Sequence, residues 1–251
     1  MRSAVDILGI PVHQLTLDRL LGEVVHAARE RRCLTVGYVN AHVLDVALGD
    51  SRLSRFLREI DLVYADGAGA VLASRLLGDP LPGRMTGADW IWDLAAVLAS
   101  EELSLYMVGG RPGVAETAAR RLLEVAPALR IAGTHHGYFD RGGPENDAVL
   151  QDIAHREPHV LLVGLGTPLQ EHWVAANRDR LGDRVVWVTG AVMDHAAGRV
   201  PRAPRWMREL HLEWLFRFAS EPRRLAPRYL AGNARFAARL VMQVLSTRGF
   251  R

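Results

Sequence analysis

Short apolar runs alternate with longer amphipathic segments along most of the chain, and this alternation predicts an α/β fold. The runs with the length and apolar content of buried strands are Leu34–Val39, Asp61–Tyr64, Leu103–Val108, Val160–Val163 and Arg184–Val188, with Arg130–Ala132 as a weaker sixth. Between them, apolar residues are spaced as in helices over Leu17–Ala28, Ala68–Leu77, Ala88–Leu98, Val114–Val125, Glu145–His155 and Leu169–Leu181. This order predicts a Rossmann-like, mostly parallel sheet with helices on both faces and ligands beyond the carboxyl ends of its strands.

The pattern changes near Gly198, where arginine, proline and tryptophan become frequent. Residues 199–251 contain 12 arginines and three acids, whereas the preceding residues contain 19 arginines and 25 acids. We therefore expect an α/β core over residues 1–198 and a helical, basic C-terminal appendage over residues 199–251. Interleaved arginines and aromatic residues in this appendage fit either an anionic membrane surface or a nucleic acid.

The end of the appendage has a helical pattern of its own. Over Ala231–Thr247, an apolar stripe is formed by Phe236, Leu240 and Val244, with arginines beside it. This pattern is typical of an amphipathic membrane helix, and a dimer interface explains it about as well.

Composition limits the chemistry that the chain can perform. All 31 basic residues are arginines, so the lysine of a Walker-type phosphate site or of a Schiff-base enzyme is absent. The single cysteine, Cys33, cannot form an internal disulfide or a multi-cysteine zinc site. We see neither a signal peptide nor an apolar run of spanning length, and we expect a cytoplasmic protein.

Two predicted strands end in glycine-rich turns. Gly109-Gly110-Arg111-Pro112-Gly113 precedes a helix, where bare backbone N–H groups would hold a phosphate, although a plain tight turn explains it equally well. The turn that starts at Gly164 begins like a dinucleotide fingerprint, but Leu169 stands in place of the third glycine. This departure disfavours a dehydrogenase.

Four polar residues also follow predicted strands, and together they indicate a site. Asp66 is placed to take a proton from a bound hydroxyl, or to cap the next helix. Arg84, one helix later, suits phosphate oxygens, or is a surface arginine. Asn40 follows the first clear strand. Gln170 and its neighbour Glu171 open a helix at the same edge, unless they form a solvated first turn.

Taken together, these motifs resemble the WecG/TagA/CpsF glycosyltransferases, also called glycosyltransferase family 26. The likeness runs in order from Asn40 to Tyr229 and includes Asp66-Gly67, Arg84-x-x-Gly87-x-Asp89, Gly164-x-Gly-x-Pro168-x-Gln170-Glu171, Arg202-Ala-Pro, Leu212-Glu-Trp214-x-x-Arg217 and Glu221-Pro222-x-Arg224. The resemblance implies an inverting, metal-independent hexosyltransferase without a cofactor. Such an enzyme moves an N-acetylmannosamine-type sugar from a UDP-sugar to a polyprenyl-diphosphate-linked acceptor, in teichoic acid or cell-surface polysaccharide synthesis. It would be peripheral on the inner face of the cell membrane.

The resemblance also implies a role for individual residues. It makes Asp66 the catalytic base and places Asn40, Arg84 and Gln170 in the sugar-nucleotide pocket. The substrate-binding arginines of the appendage are then Arg217, Arg224 and Arg228, and the first two close over the donor diphosphate. Tyr38 departs from the family pattern, because many members have a small hydroxyl residue two positions before the asparagine.

The chemistry of the residues agrees with this interpretation. Sugar transfer needs a base and positive charge for the departing UDP, and many transferases supply that charge with a metal held by Asp-x-Asp. The chain has no Asp-x-Asp motif, so we expect no bound metal and assign the charge to appendage arginines. The appendage would then be an active-site lid and a membrane contact. The alternative functions are nucleic-acid binding, which leaves Asp66 and Arg84 unexplained, and dinucleotide-dependent oxidation or reduction. With any of these functions the protein could form a homo-oligomer.

Overall fold

A six-stranded parallel sheet forms the centre of the protein in a computed structural model, which describes residues 3–204, 206–207, 213–220, 222–226 and 231–249. In chain order the strands are β1 (Ala4–Ile7), β2 (Ile10–His13), β3 (Leu34–Val39), β4 (Leu62–Ala65), β5 (Ser104–Gly109), β6 (Arg130–His135), β7 (Val160–Gly164) and β8 (Val185–Val188). The first two form an antiparallel hairpin. The others form the parallel sheet in the order β4-β3-β8-β7-β5-β6, so their carboxyl ends share one edge.

Helices connect the strands and flank the sheet. Those of the α/β region are α1 (Leu17–Arg29), α2 (Ala41–Gly49), α3 (Ser51–Glu59), α4 (Ala68–Leu76), α5 (Gly87–Ser100), α6 (Val114–Val125), α7 (Pro144–Arg156), α8 (Leu169–Ala176), α9 (Arg178–Leu181) and α10 (Val192–Ala196). The described part of the appendage contains α11 (Glu213–Ser220), α12 (Pro222–Ala226) and α13 (Asn233–Gly249). The predicted Rossmann-like class and the helical appendage are therefore confirmed.

The observed elements differ from the predicted ones in four main places. The β1–β2 hairpin, the pair α2 and α3, and the short helix α10 were not predicted, and the helix predicted over Leu169–Leu181 is interrupted at Asn177. Asn177 Nδ2 donates to the Trp173 carbonyl at 2.8 Å, and Asn177 Oδ1 accepts from Asn146 at 3.3 Å. A side chain that bonds the backbone of the preceding turn competes with the helix, which explains the interruption.

Apolar side chains fill the space between the sheet and its helices. Every residue of β3 and β8 is buried. On one side Trp187 stacks on Trp90 of α5, with ring centroids 4.1 Å apart. Strands buried on both faces read as continuous apolar runs, which is why the sequence identified them.

The last helix of the appendage packs on this core. Phe236 and Leu240 are 7% and 5% exposed, and Val244 packs partly buried beside them. Arg235 donates to both carboxylate oxygens of Asp45 on α2, at 2.9 and 2.6 Å. The stripe predicted for a membrane or a dimer is thus used within the protein, because the groove beside α2 is itself apolar.

Gln243, one turn further along α13, ties this helix to the N-terminal hairpin. Its amide oxygen accepts from Leu8 N at 3.0 Å, and its amide nitrogen donates to the Asp6 carbonyl at 3.0 Å. Within the part of the chain that the structure describes, no helix is both long and apolar enough to cross a bilayer.

Candidate active site

The strand order brings the predicted polar residues to one edge of the sheet. Asp66 follows β4, and Asn40 follows the neighbouring β3. The next strands along the edge, β8, β7 and β5, lead to Gly190, Gly164 and Gly109. One half of this edge therefore presents polar side chains, and the other half presents glycine backbone. It is the edge at which α/β proteins of this topology bind ligands.

Asp66 and Asn40 are side-chain neighbours. Asn40 Nδ2 donates to Asp66 Oδ2 at 3.5 Å, and Asp66 N donates to the Val39 carbonyl at 2.8 Å. Asn40 also caps α2, because its Oδ1 accepts two backbone N–H groups of the first turn at 3.1 Å. Asp66 is not the cap of α4: that position is Gly67, at φ +116°, without a side-chain capping bond. The capping alternative for Asp66 is therefore wrong.

Arg84 lies beside the same strand end. The Met85 N–H donates to the carbonyl of Ala65, the last residue of β4, at 2.8 Å, which brings the loop next to Asp66. Arg84 Nη1 lies 3.6 Å from Glu213 Oε2 on α11 and 3.4 Å from Thr86 Oγ1. The side chain of Arg84 is 19% exposed, so it is not a free surface arginine.

A second arginine joins the appendage to this loop. Arg202 Nη2 donates to Asp89 Oδ1 at 2.7 Å, and Arg202 Nε lies 3.1 Å from Glu213 Oε1. Glu213, whose side chain is 12% exposed, is thus shared by Arg84 and Arg202. No role was predicted for Arg202 or Glu213, although both stand in the quoted motifs. Their opposite charges, in motifs that otherwise include proposed site residues, were the signal that could have identified them.

Gln170 lies within the protein and not on its surface. It is fully buried; its Oε1 accepts from Gly190 N at 2.9 Å, and its Nε2 donates to Glu171 Oε1 at 2.8 Å. Glu171 is fully buried as well, and this burial raises the pKa of its carboxyl group. The two residues connect the loop after β7 to the loop after β8, so the solvated first turn considered for them is wrong.

Glycines form the other half of the edge because adjacent loops approach too closely for side chains. A Cβ atom on Gly109 would lie 2.5 Å from the Gly164 carbonyl oxygen, and one on Gly164 would lie 2.6 Å from the Gly190 carbonyl oxygen. Gly190, at φ +62°, would place a Cβ atom 2.6 Å from the Tyr38 hydroxyl. Gly190 was not among the predicted site residues, since a single glycine after a strand is a weak signal.

The predicted arginines of the appendage are described only in part. Arg217 belongs to α11 and Arg224 to α12, but their side chains are outside the described structure. Arg228 lies outside the described residues altogether. Their contact with a donor diphosphate stays a prediction.

Two further observations concern ligands. Among the described residues, no three His, Cys, Asp or Glu side chains are grouped so that they could hold a metal ion.

A cavity of about 340 Å³ lies between α3 and α8. Its lining includes Arg55, Phe56 and Arg178 but none of the predicted site residues. The candidate site is therefore the edge around Asp66, and not this cavity.

The order of the motifs along this edge agrees with a comparison with known families. The family model described as "Glycosyl transferase WecG/TagA/CpsF family" matches residues 5–249, which is nearly the whole chain. The chain belongs to the WecG/TagA/CpsF family of glycosyltransferases. Membership makes it an enzyme of hexosyl transfer and confirms the resemblance that the motifs indicated.

Two curated relatives of this WecG/TagA/CpsF protein, from two strains of one species, share a name. A protein of Staphylococcus aureus strain MRSA252, "N-acetylglucosaminyldiphosphoundecaprenol N-acetyl-beta-D-mannosaminyltransferase", is 26% identical over 217 residues, which cover 86% of this chain and 84% of the relative. The protein of the same name from strain MW2 is 26% identical over 225 residues, covering 89% and 87% of the two chains.

Proposed function

We propose that the protein is an inverting glycosyltransferase that moves an N-acetylmannosamine-type sugar from a UDP-sugar to a polyprenyl-diphosphate-linked acceptor. The observation that carries the proposal is the placement of Asp66 between Asn40 and the Arg84 loop at the carboxyl edge of the sheet. A carboxylate that can take a proton thus lies next to the loop whose arginine can bind phosphate. The names of the two relatives support the sugar and the class of acceptor.

The proposed reaction is a single displacement. Asp66 takes the proton of the acceptor hydroxyl, and the hydroxyl oxygen forms a bond to the anomeric carbon from the face opposite UDP. The bond between that carbon and the phosphate oxygen breaks, and its electron pair leaves with UDP. Attack from the opposite face inverts the configuration of the sugar. Asn40, which donates to Asp66, orients the carboxylate.

Arginines supply the positive charge for the leaving diphosphate in this proposal. Arg84 lies at the edge, and α11, which contains Arg217, is joined to the Arg84 loop through Glu213. Fixed guanidiniums that face a developing negative charge lower the barrier without a metal ion. Arg224 and Arg228, four positions apart in the chain, complete the proposed donor pocket, to which Gln170 contributes by holding the Gly190 N–H.

We also propose that the appendage holds the enzyme on the inner face of the cell membrane. Large apolar side chains of the appendage that are exposed in the described residues are Trp206, Trp214, Leu215, Val241, Met242 and Leu245. Exposed apolar groups on a segment rich in arginine suit an anionic lipid surface, where each basic residue contributes about 1 kcal/mol. This position would present the site to a lipid-linked acceptor.

The membrane proposal is tested by flotation with vesicles that contain anionic lipid. Val241→Ser/Leu245→Ser should lower vesicle binding, whereas Val125→Ser, which changes an equally exposed side chain on α6, should not. A homo-oligomer is the other use of this surface. Unchanged vesicle binding, together with a change of molar mass in light scattering, would favour it.

The transfer proposal is tested with purified protein, UDP-N-acetylmannosamine and a lipid-diphosphate-linked N-acetylglucosamine acceptor, with and without chelator. We expect product of inverted configuration, turnover that chelator leaves unchanged, and thermal stabilisation by UDP. Arg217→Ala and Arg224→Ala should each lower turnover, whereas Arg239→Ala, on the exposed side of α13, should not. Loss of turnover on chelation would contradict the role of the arginines, and stabilisation by a nicotinamide dinucleotide but not by UDP would favour an oxidoreductase.

A further inference from the structure

A buried carboxyl group next to the proposed donor pocket has one oxygen without a partner. Glu171 is fully buried at the start of α8, and its Oε1 accepts from the Thr167 hydroxyl at 2.9 Å and from Gln170 Nε2 at 2.8 Å. Its Oε2 is buried too and has no hydrogen-bond partner among the residues that the structure describes. Among the same residues, no arginine forms an ion pair with Glu171.

The two oxygens of this carboxyl group therefore differ. An ionised carboxylate would leave Oε2 charged, buried and without a donor, which carries a large desolvation cost. A neutral carboxylic acid removes that charge: Oε1 is then the carbonyl oxygen that accepts two bonds, and Oε2 carries the proton. The unpartnered, buried Oε2 therefore favours the neutral form, because an uncharged O–H costs much less to bury than a charged oxygen.

A neutral acid also sets the direction of the bonds around it. Since the Thr167 hydroxyl donates to Glu171, its oxygen is left to accept, and the Tyr38 hydroxyl lies 3.5 Å away. Gln170 uses its amide nitrogen on Glu171, and its amide oxygen accepts the Gly190 N–H at 2.9 Å. Through Thr167 and Gln170, this carboxyl group on the β7 side is linked to Tyr38 of β3 and to the loop after β8.

We infer that Glu171 is a neutral carboxylic acid that acts as a positioning residue, fixing Gln170 and the Thr167 loop for binding of the UDP moiety of the donor. This inference rests on the proposed function, because the donor is a UDP-sugar only under that proposal. Glu171 and Gln170 have no accessible surface, so Glu171 acts through the partly exposed Thr167 and, by way of Gln170, through the Gly190 backbone, and not by contact with the donor.

The conservative variant separates charge from shape. Glu171→Gln keeps a carbonyl acceptor and places an amide donor where the acid carries its proton, so the bonds to Thr167 and Gln170 remain possible. Glu171→Ala removes the acceptor that the Thr167 hydroxyl and Gln170 Nε2 share. Asn146→Ala is the matched control, because Asn146 is 7% exposed and bonds Trp173 Nε1 and Asn177, away from the edge.

The experiment combines infrared spectroscopy with UDP binding by calorimetry. At neutral pH the full chain should show a protonated-carboxyl C=O band that Glu171→Gln lacks. Glu171→Gln should bind UDP within about twofold of the unchanged protein, and Glu171→Ala about tenfold more weakly. Asn146→Ala should lower Tm without changing the Kd for UDP. If Glu171→Ala does not fold, Thr167→Val, which removes one donor to Oε1, should weaken UDP binding severalfold.

Each contrary result has its own meaning. Absence of the band in a protein that binds UDP overturns the neutral acid. Glu171→Gln that binds UDP as weakly as Glu171→Ala, or Asn146→Ala that does so, overturns the positioning role. A protein that shows the band but neither binds UDP nor transfers sugar overturns the proposed function, and the donor-positioning role with it.

Discussion

Asp66 shows how little of a residue's role can be read from its position after a strand. A carboxylate there is most often a helix cap, and the sequence left the two roles open. The structure excludes the cap of α4, because Gly67 occupies that position without a side-chain bond. What separates the two roles is the placement of Asn40, which lies 26 residues away in sequence and 3.5 Å away in space.

Replacing Asp66 tests the proposed base directly. Asp66→Asn keeps the size of the side chain but cannot accept a proton, so turnover should fall by a factor of about 10²–10⁴ while Tm and UDP affinity stay close to those of the unchanged protein. The assay is sugar transfer under single-turnover conditions. Near-normal transfer by Asp66→Asn would refute the assignment.

Because the loops at this edge approach each other closely, we expect replacement of Gly164 to destabilise the protein. Gly164→Ala should lower the free energy of unfolding by about 1–3 kcal/mol, because its Cβ atom would lie 2.6 Å from the backbone oxygen of Gly190. Gly22→Ala is the control in α1, where nothing lies within 4 Å of the new atom. That variant should be more stable by up to about 1 kcal/mol. Urea unfolding compares the two, and equal effects would show that the loops are not tightly packed.

At the scale of elements, periodicity predicted the strands well and the short helices poorly. The strand Leu34–Val39 and the helix Val114–Val125 have their predicted bounds, since buried strands and long amphipathic helices leave strong patterns. The helices α2 and α3, of nine residues each, were not predicted, although α4, of the same length, was. Their starts are determined by Asn40 and Asp50, whose capping bonds the structure shows.

The cap of α3 gives a prediction that depends on pH. Asp50 Oδ1 accepts from Arg52 N at 3.0 Å and from Leu53 N at 2.9 Å. The Leu53 bond, together with His172, lowers the pKa of Asp50 below its usual 3.8. Asp50→Ala should lower the free energy of unfolding by about 1 kcal/mol, whereas Asp50→Asn, which also caps, should cost less.

The sign of the pH dependence follows from the lowered pKa. A carboxyl group with a depressed native pKa stabilises the fold fully above its unfolded pKa, and this contribution is lost as the pH falls through the native value. The difference between the unchanged protein and Asp50→Ala should therefore be constant near neutral pH and shrink below 3.8. Chemical unfolding at several pH values measures it, and a difference that grows on acidification would contradict the capping role.

At the scale of the whole molecule, the appendage is joined to the core at two places. Arg202 and Glu213 connect it to the loop around Arg84, and α13 packs on α2 through Phe236, Leu240 and the Asp45–Arg235 pair. The division at residue 198 stays a prediction about domains. In the structure, residues from both sides of it share one hydrophobic core.

Truncation tests the role of the appendage. A protein that ends at Gly198 keeps every strand of the sheet, so it should fold. Loss of Phe236 and Leu240 from the core should cost about 3–6 kcal/mol, and sugar transfer should be abolished. Circular dichroism, urea unfolding and transfer assays measure these effects. A truncated protein as active as the full chain would remove the appendage from the mechanism.

The sequence by itself determined the α/β class, the strands and the family, because hydrophobic periodicity and ordered motifs are local or one-dimensional signals. Only the tertiary structure decided which polar residues meet. The order β4-β3-β8-β7 brings Asp66 next to Asn40 and lets the Gly190 N–H donate to Gln170. The docking of the appendage on the core brings Glu213 close to Arg84. These contacts join residues between 20 and 129 positions apart in sequence, and no local pattern encodes such pairings.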